Sequence, residues 1–212
     1  MTLRRLVMWR HGETAYNAGR RMQGQLDAML TPLGLAQARR AVPLLAGFGP
    51  QALLTSDLRR ASDTAAVLSE HTGLPLVSDK RLRETHLGLW QGLTHAEVDE
   101  RWPGARLTWR TDPTWAPPGG ETRIEVAARA VAVVAELDAS GAETVVLCVH
   151  GGVIAGTTAS LLRLPVVNWS SFGGIGNCRW TVLERPRPAD YGQTGIVVVP
   201  WRLVTYNAGL LE

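Results

Sequence analysis

Short apolar segments alternate with helix-like segments along most of the chain, and this alternation restricts the possible fold more than any other feature of the sequence. The apolar segments predict strands over 3–9, 52–55, 74–77, 144–149, 177–184 and 195–203. Helical periodicity and capping residues predict helices over 32–45, 58–72, 95–102, 121–139 and 151–162. Such an order is typical of an α/β fold with a mainly parallel sheet.

The remaining long segments are predicted to be loops. Residues 12–31 are polar without a clear period, residues 79–93 are interrupted by glycines, and residues 103–121 contain several prolines and glycines. A loop as long as the last of these is uncommon unless it is functional. We therefore interpret about 85–121 as a lid-like insertion over a site.

The composition is that of an ordinary globular protein. With 212 residues, 45% of them hydrophobic and 19% charged, the chain suits one domain with a buried core. Its net charge is +3 and its arginines are dispersed, which argues against nucleic-acid binding. No apolar run is long enough for a membrane helix, and the beginning of the chain lacks a secretory signal pattern. Two cysteines make no disulfide framework, so we expect a cytoplasmic protein.

Polar residues follow three of the predicted strands. Arg10 and His11 end the first strand, Arg60 follows the second, and His150 ends a later one just before Gly151. In an open parallel sheet these strand ends meet at one edge, where ligands bind. Guanidinium groups and a helix N-terminus suit phosphate oxygens, and histidine can act as a nucleophile. One histidine after a strand is equally consistent with a structural role, so the prediction of a phosphate-handling site depends on the whole pattern.

Four motifs in order resemble those of the histidine phosphatase superfamily, also called phosphoglycerate-mutase-like. They are residues 6–14 together with Asn17, residues 56–65, residues 82–84 with 88–92, and residues 149–152. The resemblance implies a three-layer αβα sandwich with a mainly parallel, mixed central sheet. It also implies that 1–212 forms a single histidine phosphatase domain.

The resemblance implies a role for each matching position. His11 attacks phosphorus and carries the phosphoryl group, while Arg10, Arg60 and a protonated His150 hold the phosphoryl oxygens. Glu84 protonates the leaving alkoxide and then deprotonates the attacking water. The expected substrate-binding residues are Asn17, Gln23, Gly24 and Gly151.

Other interpretations remain open for several of these residues. For Glu84 the alternative is a surface carboxylate paired with Arg83, which the motif context makes the weaker interpretation. Among the other histidines, we expect His71 and His95 to be exposed, and His86 either to line a pocket or to be structural. No histidine spacing matches a metal site, and two histidines with two arginines supply positive charge. We therefore expect no metal and no cofactor.

The segment after Glu84 favours hydrolysis over mutase chemistry, because residues 85–94 contain no Arg or Lys to hold a second anion. Further stretches resemble phosphatases that release phosphate from glucosyl-3-phosphoglycerate: 22–27, 85–99, 109–121, 164–169 and 173–177. The alternatives are a broad-specificity phosphatase of sugar or organic acid phosphates, a phosphoglycerate mutase, and a non-catalytic binding module. In each case the partner is a small phosphorylated metabolite, and the resemblance also implies a homodimer.

Aromatic residues of the insertion are candidates for contact with a sugar. Trp109 and Trp115 lie in the predicted lid, and Asn177 lies near a loop. It is equally consistent with the sequence that the two tryptophans only anchor a long loop.

Overall fold

The computed structural model describes residues 3–185 and 201–209. In this part of the chain, six strands form one sheet: β1 (Arg5–Arg10), β2 (Ala52–Thr55), β3 (Leu76–Ser78), β4 (Thr144–Val149), β5 (Trp180–Glu184) and β6 (Arg202–Ala208). Their spatial order is β3-β2-β4-β1-β5-β6. The first four strands are parallel, and β5 and β6 run antiparallel to their neighbours. The predicted mixed, mainly parallel sheet is confirmed.

The helices connect these strands. They are α1 (Ala15–Ala18), α2 (Pro32–Ala46), α3 (Arg59–Thr72), α4 (His95–Arg101), α5 (Ala105–Thr111), α6 (Arg123–Leu137) and α7 (Gly151–Leu161). Short 3-10 turns cover Lys80–Leu82, Gly88–Trp90 and Val166–Ser171. Among the described residues, no helix combines the length and apolar character that a membrane crossing requires.

Apolar side chains cover the sheet on both faces. Successive residues of a strand point to opposite faces, so Leu6 and Met8 of β1 belong to one buried cluster and Val7 and Trp9 to the other. Residues of α6 and α7 complete the first cluster, and residues of α2 and α3 complete the second. Burial on both faces is what a parallel sheet requires, and the resulting three-layer αβα sandwich agrees with the prediction.

The N-cap residues predicted from the sequence lie at the observed starts of helices. Thr31 accepts a hydrogen bond from the backbone of Gly34 at 3.0 Å, and Pro32 occupies the first position of α2. Thr94 and Glu97 form the predicted capping box of α4. The end of α3 is equally well marked, since Gly73 adopts the left-handed conformation there.

Three local predictions are wrong. The loop predicted over 103–121 contains α5, and the loop over 12–31 contains the single turn α1. Flanking prolines and glycines hide α5, whose Ala105 packs one turn before Trp109 against the same cluster. The strand predicted from 177 begins at Trp180, because Cys178 has a φ of 54° that breaks strand geometry. The strand predicted over 195–203 lies mostly outside the described residues, and β6 continues to residue 208.

The insertion between Glu84 and α6 has a small core of its own. Trp90 is fully buried at its centre, and the rings of Trp102, Trp109 and Trp115 lie 6.3, 5.9 and 5.5 Å from the Trp90 ring, measured between centroids. Met22, from the loop after β1, packs into the same cluster. We call this group the tryptophan cluster; it fixes the insertion against the main body of the protein.

Candidate active site

The carboxyl ends of β1, β2 and β4 bring the predicted site residues to one edge of the sheet. Arg10 pairs with Val149 in the parallel register, so the next residues, His11 and His150, lie side by side. Their ring centroids are 5.1 Å apart. Ser56 follows β2 at the same edge, with its Oγ 2.7 Å from Nε2 of His150. The polar residues predicted at the strand ends therefore lie close together in the structure.

His11 is held with one ring nitrogen available for chemistry. Its Nδ1 lies 2.7 Å from the carbonyl oxygen of Gly12, which can only accept, so Nδ1 carries the hydrogen. Nε2 is then a lone pair, and it accepts a hydrogen bond from Nε of Arg60 at 3.2 Å. Burial lowers the pKa of His11 well below its usual value, and the charges of Arg60 and Arg10 add to this effect. A neutral imidazole with an unprotonated Nε2 is the form that a nucleophilic histidine needs.

Arg60 is a buried cation aimed at His11. It is 1% exposed, and its two terminal nitrogens donate to the carbonyl oxygens of Gly24 and Leu26 at 2.7 and 3.0 Å. Within the described residues no carboxylate lies within ion-pair distance of it, and burial lowers its pKa to about 10. A desolvated cation of this kind strongly favours an anionic ligand.

Arg10 is the second cation of the site. Its Nη1 donates to the carbonyl oxygen of Ile175, while its buried Nε has no hydrogen-bond partner among the described residues. Burial lowers the pKa of Arg10, and the negative charge of Glu84 opposes that shift. Together with Arg60, it gives the site two guanidinium groups with donors left for phosphate oxygens.

His150 is fully buried at the start of α7. Burial lowers its pKa well below the usual value, and the nearby charges of Arg60, Arg10 and Arg129 lower it further. The cationic form expected from the resemblance is therefore disfavoured by the protein alone. A bound phosphate dianion offsets that effect, because an opposite charge within a few ångströms raises the pKa of a histidine.

Glu84 is positioned by backbone groups. Its Oε1 accepts from the backbone nitrogen of Thr85 at 2.8 Å and its Oε2 from that of Gly152 at 3.1 Å. Arg129 donates to the backbone oxygen of Glu84 at 3.0 Å. Arg83 pairs with Asp57 instead, at 2.5 Å, so the alternative of a surface Arg83–Glu84 pair is wrong.

These groups line a cavity of about 370 Å³. Its walls include most of the predicted site residues, namely Arg10, His11, Asn17, Gln23, Gly24, Arg60 and Glu84. Gly151 lines an adjoining cavity, and His150 lies behind His11 without facing either. The side-chain Oδ1 of Asn17 accepts from the backbone nitrogen of Thr14 and from Nδ2 of Asn177, both at 3.1 Å, while its side-chain Nδ2 has no partner within the described residues.

The family assignment follows from comparison with known proteins. Residues 6–191 match the family model of the histidine phosphatase superfamily (branch 1). The chain belongs to this superfamily. It is 53% identical over 218 residues to the glucosyl-3-phosphoglycerate phosphatase of Mycobacterium tuberculosis (strain ATCC 25618 / H37Rv), covering 98% of this chain and 96% of that protein.

Solved structures of the superfamily agree with the described fold. The mycobacterial glucosyl-3-phosphoglycerate phosphatase in complex with VO3 has a TM-score of 0.89 at 53% identity, covering 97% of this chain and 100% of that one. The complex of the mycobacterial enzyme with inorganic phosphate has a TM-score of 0.87 at 51% identity, covering 97% and 98%.

The three remaining histidines differ in their exposure and in their contact with the cavities. His71 is exposed, as predicted. The prediction that His95 is exposed is wrong, because the start of α4 faces the cavities and His95 lines both. His86 lines neither cavity, and its ring Nδ1 lies 3.1 Å from the carbonyl oxygen of Gly119, which supports a structural role.

Several residues of this superfamily member could not be assigned from sequence motifs alone. Ser56 directly follows a predicted strand, but nothing in the sequence shows its contact with His150. Asn177 donates to the carbonyl oxygen of His11 at 3.1 Å, which makes it a positioning residue as well as a wall of the cavity. Trp109 both anchors the insertion and lines the cavity, whereas Trp115 only packs in the tryptophan cluster.

Gly152 leaves no room for a side chain beside Glu84. A Cβ there would collide with Oε1 of Glu84 and lie 2.6 Å from Oγ1 of Thr85. We expect Gly152→Ala to lower kcat about 10- to 100-fold, because small displacements of a reacting group have effects of this size. Phosphate-release kinetics measure the loss.

The neighbouring Gly151→Ala is a matched comparison for this prediction. A Cβ at Gly151 meets no atom closer than Nε of Arg10, at 3.8 Å, so we expect a much smaller loss. Equal losses of kcat in the two variants would show that displacement of Glu84 does not cause the loss in Gly152→Ala.

Proposed function

We propose that this chain is a phosphomonoester hydrolase that removes phosphate from glucosyl-3-phosphoglycerate through a phosphohistidine on His11. The observation that carries the proposal is the arrangement of His11, whose unprotonated Nε2 accepts a hydrogen bond from Arg60 while its Nδ1 is fixed by the carbonyl of Gly12. Related mycobacterial enzyme structures in complex with VO3 and with inorganic phosphate support the proposal that this chain binds phosphate.

The proposed reaction has two displacement steps. In the first, Nε2 of His11 forms a bond to phosphorus, the bond from phosphorus to the ester oxygen breaks, and Glu84 gives its proton to the leaving alkoxide. In the second, Glu84 takes a proton from water, the water oxygen attacks phosphorus, and the bond to His11 breaks. Inorganic phosphate leaves and both side chains return to their starting forms.

Charge stabilisation in both steps is assigned to Arg10, Arg60 and His150. Phosphoryl transfer requires mainly positioning and electrostatic stabilisation of the equatorial oxygens. In our proposal the dianion raises the pKa of His150, which then adds a third positive charge, and Ser56 holds its Nε2. Asn17 and Gln23 complete the phosphate-binding wall, and Gly24 orients Arg60 through its carbonyl.

The remaining parts of the proposal concern the organisation of the chain. We infer that 1–212 acts as one histidine phosphatase domain, in which 85–121 covers the site as a lid-like wall. The tryptophan cluster supports that role, since it fixes Trp109 at the cavity. Cys148 and Cys178 are both buried free thiols, which is consistent with a cytoplasmic location. A homodimer stays a prediction from the resemblance.

A substrate panel tests the proposed function. We expect kcat/KM for phosphate release to be highest with glucosyl-3-phosphoglycerate and clearly lower with simple sugar phosphates and phosphoglycerates. Conversion between 2- and 3-phosphoglycerate is measured in parallel. Faster interconversion than hydrolysis would identify a mutase, and equal kcat/KM across the panel would identify a broad-specificity phosphatase.

A further inference from the structure

A second cavity, of about 600 Å³, opens beside the first on the side of Glu84. Both cavities share walls formed by Arg10, Met22, Thr85, His95, Trp109 and Gly152. Thr85 and Gly152 hold the Glu84 carboxylate, which in the proposed reaction faces the leaving oxygen. The second cavity therefore lies where the alcohol part of the substrate would extend.

One wall of this second cavity is the half-buried cation Arg123. Its Nη1 donates to the backbone oxygen of Arg110 at 3.2 Å, and its Cζ lies 5.1 Å from the centroid of the Trp109 ring. Within the described residues it forms no ion pair, whereas Arg129 of the same helix pairs with Glu121 at 3.0 Å. Arg123 is thus fixed in place by an aromatic ring and a carbonyl, with no counter-ion in the described part of the chain.

The position of Arg123 is unfavourable for helix stability. It is the first residue of α6, directly after the N-cap Thr122. The N-terminus of a helix has a partial positive charge, so acidic residues are preferred there and cations are not. Burial lowers the pKa of Arg123, and the charge of Glu84 opposes this shift, so the guanidinium lies within electrostatic range of the catalytic carboxylate. A cation with these properties is best explained by a ligand anion.

We propose that Arg123 binds the carboxylate of the alcohol that leaves, and that it makes the enzyme selective for phosphate esters of hydroxy acids. This proposal rests on the proposed function, because it assumes that the phosphate occupies the His11 cavity. It goes further in assigning the specificity to one side chain outside the four superfamily motifs. The Trp109 ring fixes the guanidinium, so the carboxylate meets a preorganised partner.

The test compares two substrates that differ only in this group, 3-phosphoglycerate and glycerol 3-phosphate, and includes glucosyl-3-phosphoglycerate. We expect the unmodified enzyme to prefer the carboxylate substrate. Arg123→Gln should raise KM for both carboxylate substrates, with kcat/KM falling about 10- to 100-fold, as expected for a lost charge-assisted hydrogen bond. Its kcat/KM for glycerol 3-phosphate should stay unchanged, and Arg123→Lys should restore part of the preference.

The control variant is Arg101→Gln, which removes an exposed cation of α4 that lines neither cavity. It should leave all three substrates unaffected. Inhibition by glycerate, measured against each enzyme, reports binding without turnover and should weaken only in the Arg123 variants. The proposal is overturned if the unmodified enzyme does not distinguish the two small substrates, or if Arg123→Gln affects both equally. Failure of the proposed function is distinct, since the unmodified enzyme would then release no phosphate from glucosyl-3-phosphoglycerate.

Discussion

Replacement of His11 by alanine is expected to lower kcat for phosphate release by about 10⁴-fold or more, the scale of nucleophile removal in enzymes with covalent intermediates. The reason is geometric, because Nε2 of His11 is the lone pair that adjoins Arg60 in the cavity. His150 is close, but it lines neither cavity. It therefore cannot replace the missing nucleophile.

Rapid quenching with labelled substrate provides the direct measurement for this variant. A labelled phosphohistidine should accumulate in the unmodified enzyme and be absent after His11→Ala. His71→Ala is the matched control, because His71 is an exposed histidine at the end of α3. Chelating agents should leave turnover unchanged. Full activity without His11, or a strict requirement for added metal, would contradict the mechanism.

Replacement of Glu84 by glutamine has the second-largest expected effect. Glutamine keeps the side-chain oxygen that accepts from the backbone of Thr85 or Gly152, but it has no acidic proton to give. We expect kcat with alkyl phosphate esters to fall about 10²- to 10⁴-fold, the usual contribution of general acid–base catalysis. Inhibition by inorganic phosphate should change much less.

A series of leaving groups separates this proton transfer from a structural effect. An aryl phosphate with an acidic phenol needs little protonation, so the first displacement step should be nearly unaffected by Glu84→Gln. The burst of released phenol measures that step independently of the later hydrolysis. Glu100→Gln, an exposed carboxylate of α4, is the control. If the burst rate falls as much as the rate with alkyl esters, Glu84 does not act as the acid.

The sequence was sufficient for the parts of the site that depend on strand ends. Arg10 ends a buried strand, His11 and His150 directly follow buried strands, and the parallel register brings them together. Local signals were equally sufficient for helix starts such as Thr31 and Thr94, whose side chains cap a helix within three residues. These features depend on few contacts that are distant in sequence.

Other features depend on packing between segments far apart in the chain. His95 was correctly placed in a capping box, but its exposure was wrong because α4 presents its start to the cavities. The helix α5 was missed because its stability comes from the packing of Ala105 and Trp109 in the tryptophan cluster and not from its flanking residues. Arg123 belongs to no motif, since its significance arises from its contact with the Trp109 ring and its place in the wall of the second cavity.

Different apolar clusters support phosphate binding and contact with the alcohol part of the substrate. The phosphate-binding groups stand on the sheet and its two large apolar clusters, whereas Trp109, one wall toward the alcohol, stands on the separate cluster around Trp90. The two parts are joined where Met22 exchanges backbone hydrogen bonds with Gly92 and Leu93. Substitutions around Trp90 can thus reshape the choice of alcohol while leaving the phosphorus chemistry in place, so that new substrates can evolve without rebuilding the catalytic centre.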